Sequence, residues 1–312
     1  MASTPRSYTS GHFFFNLDGV KAGFLESAAG GDAVADVVAE PAKPGTLGKK
    51  HIANVRYEEI RIALGLDLDA ALYEWIRASW AMSYARKDGS IVTGDATFQA
   101  KTELEFFQAL VTETTFPALD AGSKDAGHMT VKLAPEYTRA RKASGKLTPP
   151  AARVQKKWLP ANFRFELGGL DCSKVSRIDS FTIKQTAATD DLGERRDVLK
   201  EPAGVEFPNL RVTLAEVSAQ TWHEWHEDFV IKGNCGDDQE KEGAIVLLAP
   251  DLKAELARIT LHHVGIFALR RVPQTTTQQV PRLVADLYCE QMVLHVGPPA
   301  VRPAIRPRAV LA

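Results

Sequence analysis

The chain has 312 residues, which is long for one domain and enough for two of about 150 residues each. Its formal net charge of −1 excludes the strong overall field of a protein that binds nucleic acid or anionic membranes through its total charge. The three cysteines, Cys172, Cys235 and Cys289, have no CxxC spacing, which is typical of a reducing compartment. The sequence shows neither a secretory signal nor an apolar run of membrane-spanning length, so we expect a protein made and assembled in the cytoplasm.

The first predicted elements are strands. Phe13, Phe15 and Leu17 alternate with less apolar positions and are followed by the turn-forming pair Asp18-Gly19. A polar, proline-containing stretch around residues 40–45 follows, and it predicts a long loop or a projecting hairpin. Alternation then returns at Val55 to Leu64, which predicts further strands with a bulge or bend near residues 58–59.

The apolar period changes after residue 66. Leu72, Trp75 and Ile76 lie at i, i+3 and i+4, which predicts an amphipathic helix with the preceding aspartates capping its first turn. A second helix is predicted from residue 218, with Ser218 as the N-cap and with Trp222, Trp225 and Phe229 on one face. The sequence returns to period two beyond each helix, so each half of the chain contains several strands, one helix and then several more strands.

The two halves resemble each other at a fixed spacing. The segment beginning at Phe13 aligns with the one beginning at Phe163, 150 positions later, and the same offset places Ile60 on Leu210 and Trp75 on Trp225. After the helices the second half carries about four extra residues, so that Lys87 falls on Lys241. A constant offset across several elements predicts a tandem duplication.

The duplication predicts a mainly β fold with two tandem homologous domains, each a β-barrel or sandwich closed on one side by a packed α-helix. The predicted boundaries are 10–135 for the first copy, 136–161 for a basic, proline-containing linker, 162–297 for the second copy and 298–312 for a tail rich in proline and arginine. For the linker, exposed chain is favoured over a strap that binds a polyanion.

The pattern of both copies resembles the tail tube family of T-even-type contractile phages and of phage-like contractile injection systems. It is carried in the first copy by Phe13–Val20, Ile60–Leu64 and Leu72–Trp75, and in the second by Phe163–Leu170, Phe181–Ile183, Asn209–Leu214 and Trp222–Trp225. The quoted residues form a pattern of apolar and glycine positions, and none of them is a catalytic signature. Two features depart from the family, which usually has one such domain per chain and a basic K-R-G turn after the I-x-L strand.

The resemblance implies a structural protein that assembles with itself into rings, which stack into a tube. A duplicated chain could form a pseudo-hexameric ring from three copies, place its two domains in successive rings, or act as a tube-end adaptor or cap, so three or six chains per ring stay open. Sheath and baseplate proteins are the further partners implied, as part of a virion or a released particle. No membrane partner and no sequence-specific binding of nucleic acid is expected, although DNA or protein could pass through a lumen.

Self-assembly makes particular residues candidates for contacts. The long loops are the predicted contacts between subunits or rings, and their candidate residues are Pro41, Pro44, Gly45, Asp191, Gly193, Arg195 and Arg196. The predicted core anchors of the two helices are Leu72, Trp75, Trp222 and Trp225.

Candidate sites for chemistry are weak. His223, His226 and Glu227 share one side of the second predicted helix, but the first copy has Tyr73, Ile76 and Arg77 there, which disfavours a metal site. His262 and His263 lie in an alternating strand, which favours an ordinary pair of strand residues. We therefore expect no enzyme, no cofactor and no metal. The alternatives are a binding module whose two barrels hold a ligand or cargo protein, and a hydrolase with an unrecognised site.

Overall fold

A computed structural model of the chain describes residues 11–41, 47–66, 68–147, 158–190, 199–273 and 280–297. Residues 11–147 are called the first unit below, and residues 158–297 the second unit. The chain is mainly β, as predicted from the sequence, and its strands form two large antiparallel sheets and a short two-stranded one.

The first unit contains one helix, α1 (Ala70–Trp80). Its strands are β1 (His12–Leu17), β2 (Val20–Leu25), β3 (Ser27–Gly30), β4 (Ala33–Glu40), β5 (Lys49–Tyr57), β6 (Ile60–Leu64), β7 (Lys87–Gly94), β8 (Ala100–Phe116), β9 (Leu119–Asp120), β10 (Met129–Ala134) and β11 (Tyr137–Lys142). Most of them form one sheet in the order β2-β1-β7-β8-β10-β6-β3, with β11 also paired to β8.

The second unit contains the helix α2 (Gln220–His226), which follows a 3₁₀ turn at Glu216–Ser218 and continues as a π-helical segment at Glu227–Ile231. Its strands are β12 (Phe163–Leu167), β13 (Val175–Ile178), β14 (Phe181–Asp190), β15 (Leu199–Glu206), β16 (Leu210–Ala215), β17 (Lys241–Leu248), β18 (Glu255–Arg271) and β19 (Arg282–Val296). The second sheet runs β12-β17-β18-β19-β16-β13-β9 and so includes β9 of the first unit.

The pairing register of the two units corresponds across most strands, although β2 has no counterpart among the described strands of the second unit. Leu17 lies opposite Gly89 between β1 and β7, and Leu167 lies opposite Gly243 between β12 and β17. Both glycines meet the same constraint, because a Cβ on either would lie 2.4 Å from the carbonyl oxygen of the neighbouring strand. The continuous strand β19 occupies the place that β10 and β11 share in the first unit, since β6 pairs with β10 as β16 pairs with β19.

Both helices follow the predicted periodicity, but only the N-cap predicted for α1 is confirmed. Asp69 caps α1 by accepting a hydrogen bond from the backbone N–H of Ala71 at 2.9 Å, as expected. The prediction that Ser218 caps α2 is wrong. Ser218 lies in the 3₁₀ turn, which ends before the helix, and the N-cap position is taken by Ala219 without a side-chain hydrogen bond.

The stretch predicted as an exposed linker begins as a strand. Tyr137–Lys142 forms β11 and pairs with β8, and the ring of Tyr137 stacks on Phe107 with 4.4 Å between centroids. Backbone pairing at a sheet edge stabilises this basic segment although most of it stays exposed. At the other end Trp158 is buried and packs over Gly127, so the predicted linker begins and ends in residues that pack or pair with the first unit.

Candidate assembly interface

The two units are joined by direct strand pairing. The first part of β8 pairs with β7 on one side and β11 on the other. Its last part pairs with β10 and, on the remaining side, with β14 of the second unit. Because β14 also pairs with β15, the hairpin of the second unit extends the sheet of the first. We call the contact between Glu113–Phe116 and Phe181–Lys184 the internal junction.

The internal junction is packed on one face and polar on the other. Phe116 lies opposite Phe181, and their buried rings stack with 5.1 Å between centroids. The next pair, Thr115 and Thr182, shares a hydrogen bond of 2.9 Å between the two hydroxyl oxygens. Such cross-strand pairs stabilise a sheet and specify its register.

Helix α1 covers the internal junction. Trp80, the last residue of α1, packs edge-on against Phe116 at 6.2 Å and donates from Nε1 to the Thr114 hydroxyl at 3.4 Å. The Ser79 hydroxyl donates to the side-chain carbonyl of Gln185 on β14, and both side chains are buried. The helix also packs against β19, so the second unit buries the end of this helix.

Strand β18 has no corresponding partner within the described residues. Its first part lies between β17 and β19, but Ala268–Arg271 pairs only with β19. Lys132 of β10 lies opposite Glu113, and its counterpart Asp286 of β19 lies opposite Ala268, so this segment corresponds to Glu113–Phe116 of β8, which is half of the internal junction. The second unit therefore ends in an open strand edge at the position where the first unit is extended.

Strand β4 corresponds, at an offset of 150, to β14, which is the other half of the internal junction. Among the described strands, β4 pairs only with β5. Ala33, the counterpart of the buried Ile183, is exposed. In the described part of the chain, the segments that correspond to the two sides of the internal junction, Gly31–Val34 and Ala268–Arg271, are not paired with each other.

Apolar side chains are exposed beside the open edge of β18. Val230 is 41% exposed, whereas Trp80, its counterpart on α1, is 4% exposed. Phe267 lies in the bulge of β18 and is 44% exposed, whereas its counterpart Thr112 is 6% exposed. Exposed apolar side chains grouped beside an unpaired strand are typical of an interaction surface.

The predicted contact loops lie mostly outside the described residues. Of their seven candidates only Pro41 is described, next to the end of β4, while Pro44, Gly45, Asp191, Gly193, Arg195 and Arg196 fall outside. The flanking strands form the hairpins β4–β5 and β14–β15, which agrees with the projecting hairpin that the sequence allowed. The role of these loops in contacts between subunits stays a prediction.

The helix anchors lie in the core. Leu72, Trp75, Trp222 and Trp225 are all buried, in a hydrophobic cluster that includes residues of both units. The indole N–H of Trp222 donates to the Asp171 carbonyl at 2.9 Å, and that of Trp75 donates to the Ala85 carbonyl at 2.7 Å. These bonds satisfy the polar ends of the Trp75 and Trp222 rings, whereas the buried indole N–H of Trp225 has no hydrogen-bond partner among the described residues.

The residues considered for chemistry are dispersed. In the described part of the chain, His223, His226 and Glu227 do not come together as a set of three metal ligands. Cys235 is exposed, whereas burial raises the pKa of Cys172 and of Cys289 to about 11, so both of these thiols stay protonated at neutral pH. No helix among the described residues is long and apolar enough to cross a membrane.

A family comparison matches the first unit. Residues 12–139, from β1 into β11, match the family described as T4-like virus tail tube protein gp19. The match covers less than half of the chain. It ends before the second unit begins, so the similarity to tail tube proteins is a statement about the first unit.

Solved structures of contractile injection systems resemble the chain in part. A chain of the anti-feeding prophage tube-terminating cap matches at 21% identity and a TM-score of 0.38, over 46% of this chain and 94% of its own length. A chain of the sheath–tube complex of the extracellular contractile injection system PVC matches at 17% identity and a TM-score of 0.39, over 46% and 100%. A chain of the PVC sheath/tube terminator matches at 18% and 0.37, over 45% and 98%. No curated protein matches the chain.

Proposed function

We propose that the chain is a structural subunit of a contractile tail or injection-system tube, in which three copies form a ring of six similar units. The observation that carries the proposal is the internal junction, in which β14 of the second unit extends the sheet of the tail tube segment. Sheath and baseplate proteins are the further partners we propose for such a ring, and the position of the ring along the tube or at its end is left open.

A tandem duplication underlies the proposal. Its support is the correspondence of register in β1–β7 with β12–β17 and in β6–β10 with β16–β19. Both units also place a non-glycine residue with positive φ at the same bulge, Gln108 with φ 51° in β8 and His263 with φ 55° in β18. If the units are copies, the contact between them is a template for the contact between chains. Because the units meet side by side in one sheet, this template favours two units in one ring over two successive rings.

The register of the contact between chains follows from the template. Within the chain, Ile183 lies opposite Thr114 and Thr182 lies opposite Thr115. The corresponding pairs between chains are Ala33 with Leu269 and Asp32 with Arg270. Such a contact uses a different surface on each partner, so it closes into a ring or continues as an open helix, depending on the rotation per chain.

Charge complementarity supports this register. The hydrogen-bonded threonine pair of the internal junction is replaced at the proposed contact by Asp32 and Arg270, which carry opposite charges. Arg270 is exposed and already lies beside the buried Asp286 carboxylate, so the open edge holds its guanidinium in place before a partner arrives. Directly opposed unlike charges stabilise a strand pair, and like charges there destabilise it.

Assembly is the first test of the proposal. Negative-stain electron microscopy and native mass spectrometry of the purified full chain should show closed rings whose mass is three times that of the chain. A monodisperse monomer at micromolar concentration would contradict the proposal and would favour a binding module. Open filaments would retain the contact between chains and overturn the closed ring.

Cysteine cross-linking tests the register separately. In a Cys235→Ser background, the double variant Ala33→Cys with Leu269→Cys should form disulfides between chains, since directly opposed strand residues have the Cα separation that a disulfide needs. The matched control, Ala33→Cys with Arg271→Cys, shifts one partner by two residues and should cross-link at least about tenfold more slowly. Rings that cross-link better in the control would disprove this register and leave the structural role standing.

A further inference from the structure

Three potential metal ligands converge on neighbouring strands of the second unit. Glu240 immediately precedes β17, His263 lies on β18 and Glu290 lies on β19, and one ligand atom from each falls within 4.8 Å of the other two. His263 lies at the register shift between β17 and β18 and has φ 55°, and its Nδ1 lies 2.9 Å from a carboxylate oxygen of Glu240. Bulges commonly redirect a side chain toward a functional site.

The buried carboxylate is held in place. The side chain of Glu240 is only 6% exposed, and its second oxygen accepts a hydrogen bond of 2.6 Å from the Tyr288 hydroxyl. A donor behind a carboxylate ligand fixes the orientation of that ligand, as the residues surrounding metal sites generally do.

The first unit has an arginine–glutamate ion pair at the position of this cluster, and the second unit does not. The residues that correspond to Glu240, His263 and Glu290 are Arg86, Gln108 and Glu136. In the first unit the guanidinium of Arg86 pairs with Glu136 at 2.7 Å. In the second unit a carboxylate replaces that guanidinium, so two carboxylates face each other where the first unit has an ion pair.

Within the described ranges of the chain, no lysine or arginine replaces the missing guanidinium, and His263 is the side chain of basic type that pairs with Glu240. Among the described residues, Glu290 forms no salt bridge. Lys241, the residue after Glu240, points its ammonium over the ring of Trp225 at 5.3 Å. Two carboxylates close together favour protonation of one of them or binding of a cation between them.

We propose that Glu240, His263 and Glu290 bind one divalent transition-metal ion, such as Zn²⁺, which takes the place of the guanidinium present in the first unit. One imidazole and two carboxylates form a ligand set that suits zinc and similar borderline ions better than Ca²⁺ or Mg²⁺, which prefer oxygen alone. Three protein ligands leave coordination positions for water, because Glu290 and His263 lie at the surface. The ion would connect β17, β18 and β19 near the start of β17.

Calorimetric titration with ZnCl₂ tests the site in the full chain after treatment with a chelator. All proteins carry Cys235→Ser, which removes the exposed thiol as a competing ligand. One ion per chain should bind, and His263→Gln should weaken binding by at least about tenfold. Glu240→Arg rebuilds the ion pair of the first unit, so it should abolish binding while the circular dichroism spectrum and thermal unfolding stay those of a folded chain.

The helical histidines provide the matched control. His226→Gln removes an imidazole from the other sequence candidate and should leave zinc affinity unchanged. The proposal is overturned if the parent chain shows no saturable binding, if Glu240→Arg and His263→Gln both keep the parent affinity, or if only His226→Gln loses it. None of these outcomes depends on whether the chain forms rings.

Discussion

The last part of β8 and the last part of β18 have the same register within their own sheets but different neighbours. In β8 this part lies between β10 and β14, and the end of α1 covers it. In β18 it has β19 on one side, with Val230 and Phe267 exposed nearby. Because the backbone pairing agrees, the difference in burial goes together with the neighbouring strand β14, which β8 has and which β18 lacks among the described residues.

The largest expected difference in unfolding free energy is between substitutions at Trp80, at the end of α1, and at Val230, the corresponding position after α2. Trp80→Ala should lower the free energy of unfolding by about 3–5 kcal/mol, because a large buried side chain leaves a cavity. Val230→Ala, at the corresponding exposed position, should change it by no more than about 0.5 kcal/mol in a dilute, unassembled chain. Urea unfolding followed by tryptophan fluorescence, with circular dichroism as a second probe, measures both. Equal losses would mean that the neighbouring unit does not account for the difference in burial.

The next largest difference is between the hairpin β14–β15, which is part of the internal junction, and the hairpin β4–β5. Ile183→Ala should cost about 2–4 kcal/mol, since Ile183 is buried on β14 opposite Thr114. Ala33→Asp changes the exposed counterpart on β4 and should leave the unassembled chain within about 0.5 kcal/mol of the parent. The same variant should prevent assembly, because it introduces a charge opposite Leu269. Analytical ultracentrifugation would contradict this by finding complete assembly of Ala33→Asp.

The sequence predicted local features better than contacts between distant segments. Helix α1 follows from the spacing of Leu72 and Trp75 and from the Asp69 cap, because these signals lie within one or two turns. Strand β11 was missed because its stability comes from backbone pairing with β8, which leaves no apolar alternation in Tyr137–Lys142.

The candidate interface was beyond the reach of sequence patterns for a related reason. The pairing of Phe181 with Phe116 joins residues of different units, and strand alternation states which face is buried but not which strand lies alongside. The convergence of Glu240, His263 and Glu290 likewise depends on three strands and a bulge. A comparison of Arg86 with Glu240 within the repeat would have signalled the change of charge, since the 154-residue offset aligns them.

The smallest effect concerns a network of ion pairs in the second unit that has no counterpart among the described residues of the first unit. Arg258 pairs with Glu166 at 3.0 Å and with Glu255 at 2.9 Å, and Arg164 pairs with both carboxylates. The hydrogen bond from Arg258 lowers the pKa of Glu255. For Glu166, burial raises the pKa, but the hydrogen bonds from Arg258 and Arg164 outweigh it and lower the pKa overall.

A lowered pKa in the folded state gives this network a defined pH dependence. Its contribution to stability is fully present above the ordinary glutamate pKa of about 4.3 and is lost as the pH falls through the lower folded-state values. Arg258→Met should therefore reduce the unfolding free energy by about 0.5–1 kcal/mol at pH 7, since the groups are partly exposed, and should flatten its decline below pH of about 4.3. Arg56→Met, in an exposed pair with Asp36, is the matched control and should change neither quantity measurably. Urea unfolding at pH values from about 3 to 7 tests this, and an unchanged slope in Arg258→Met would show that other carboxylates cause the decline.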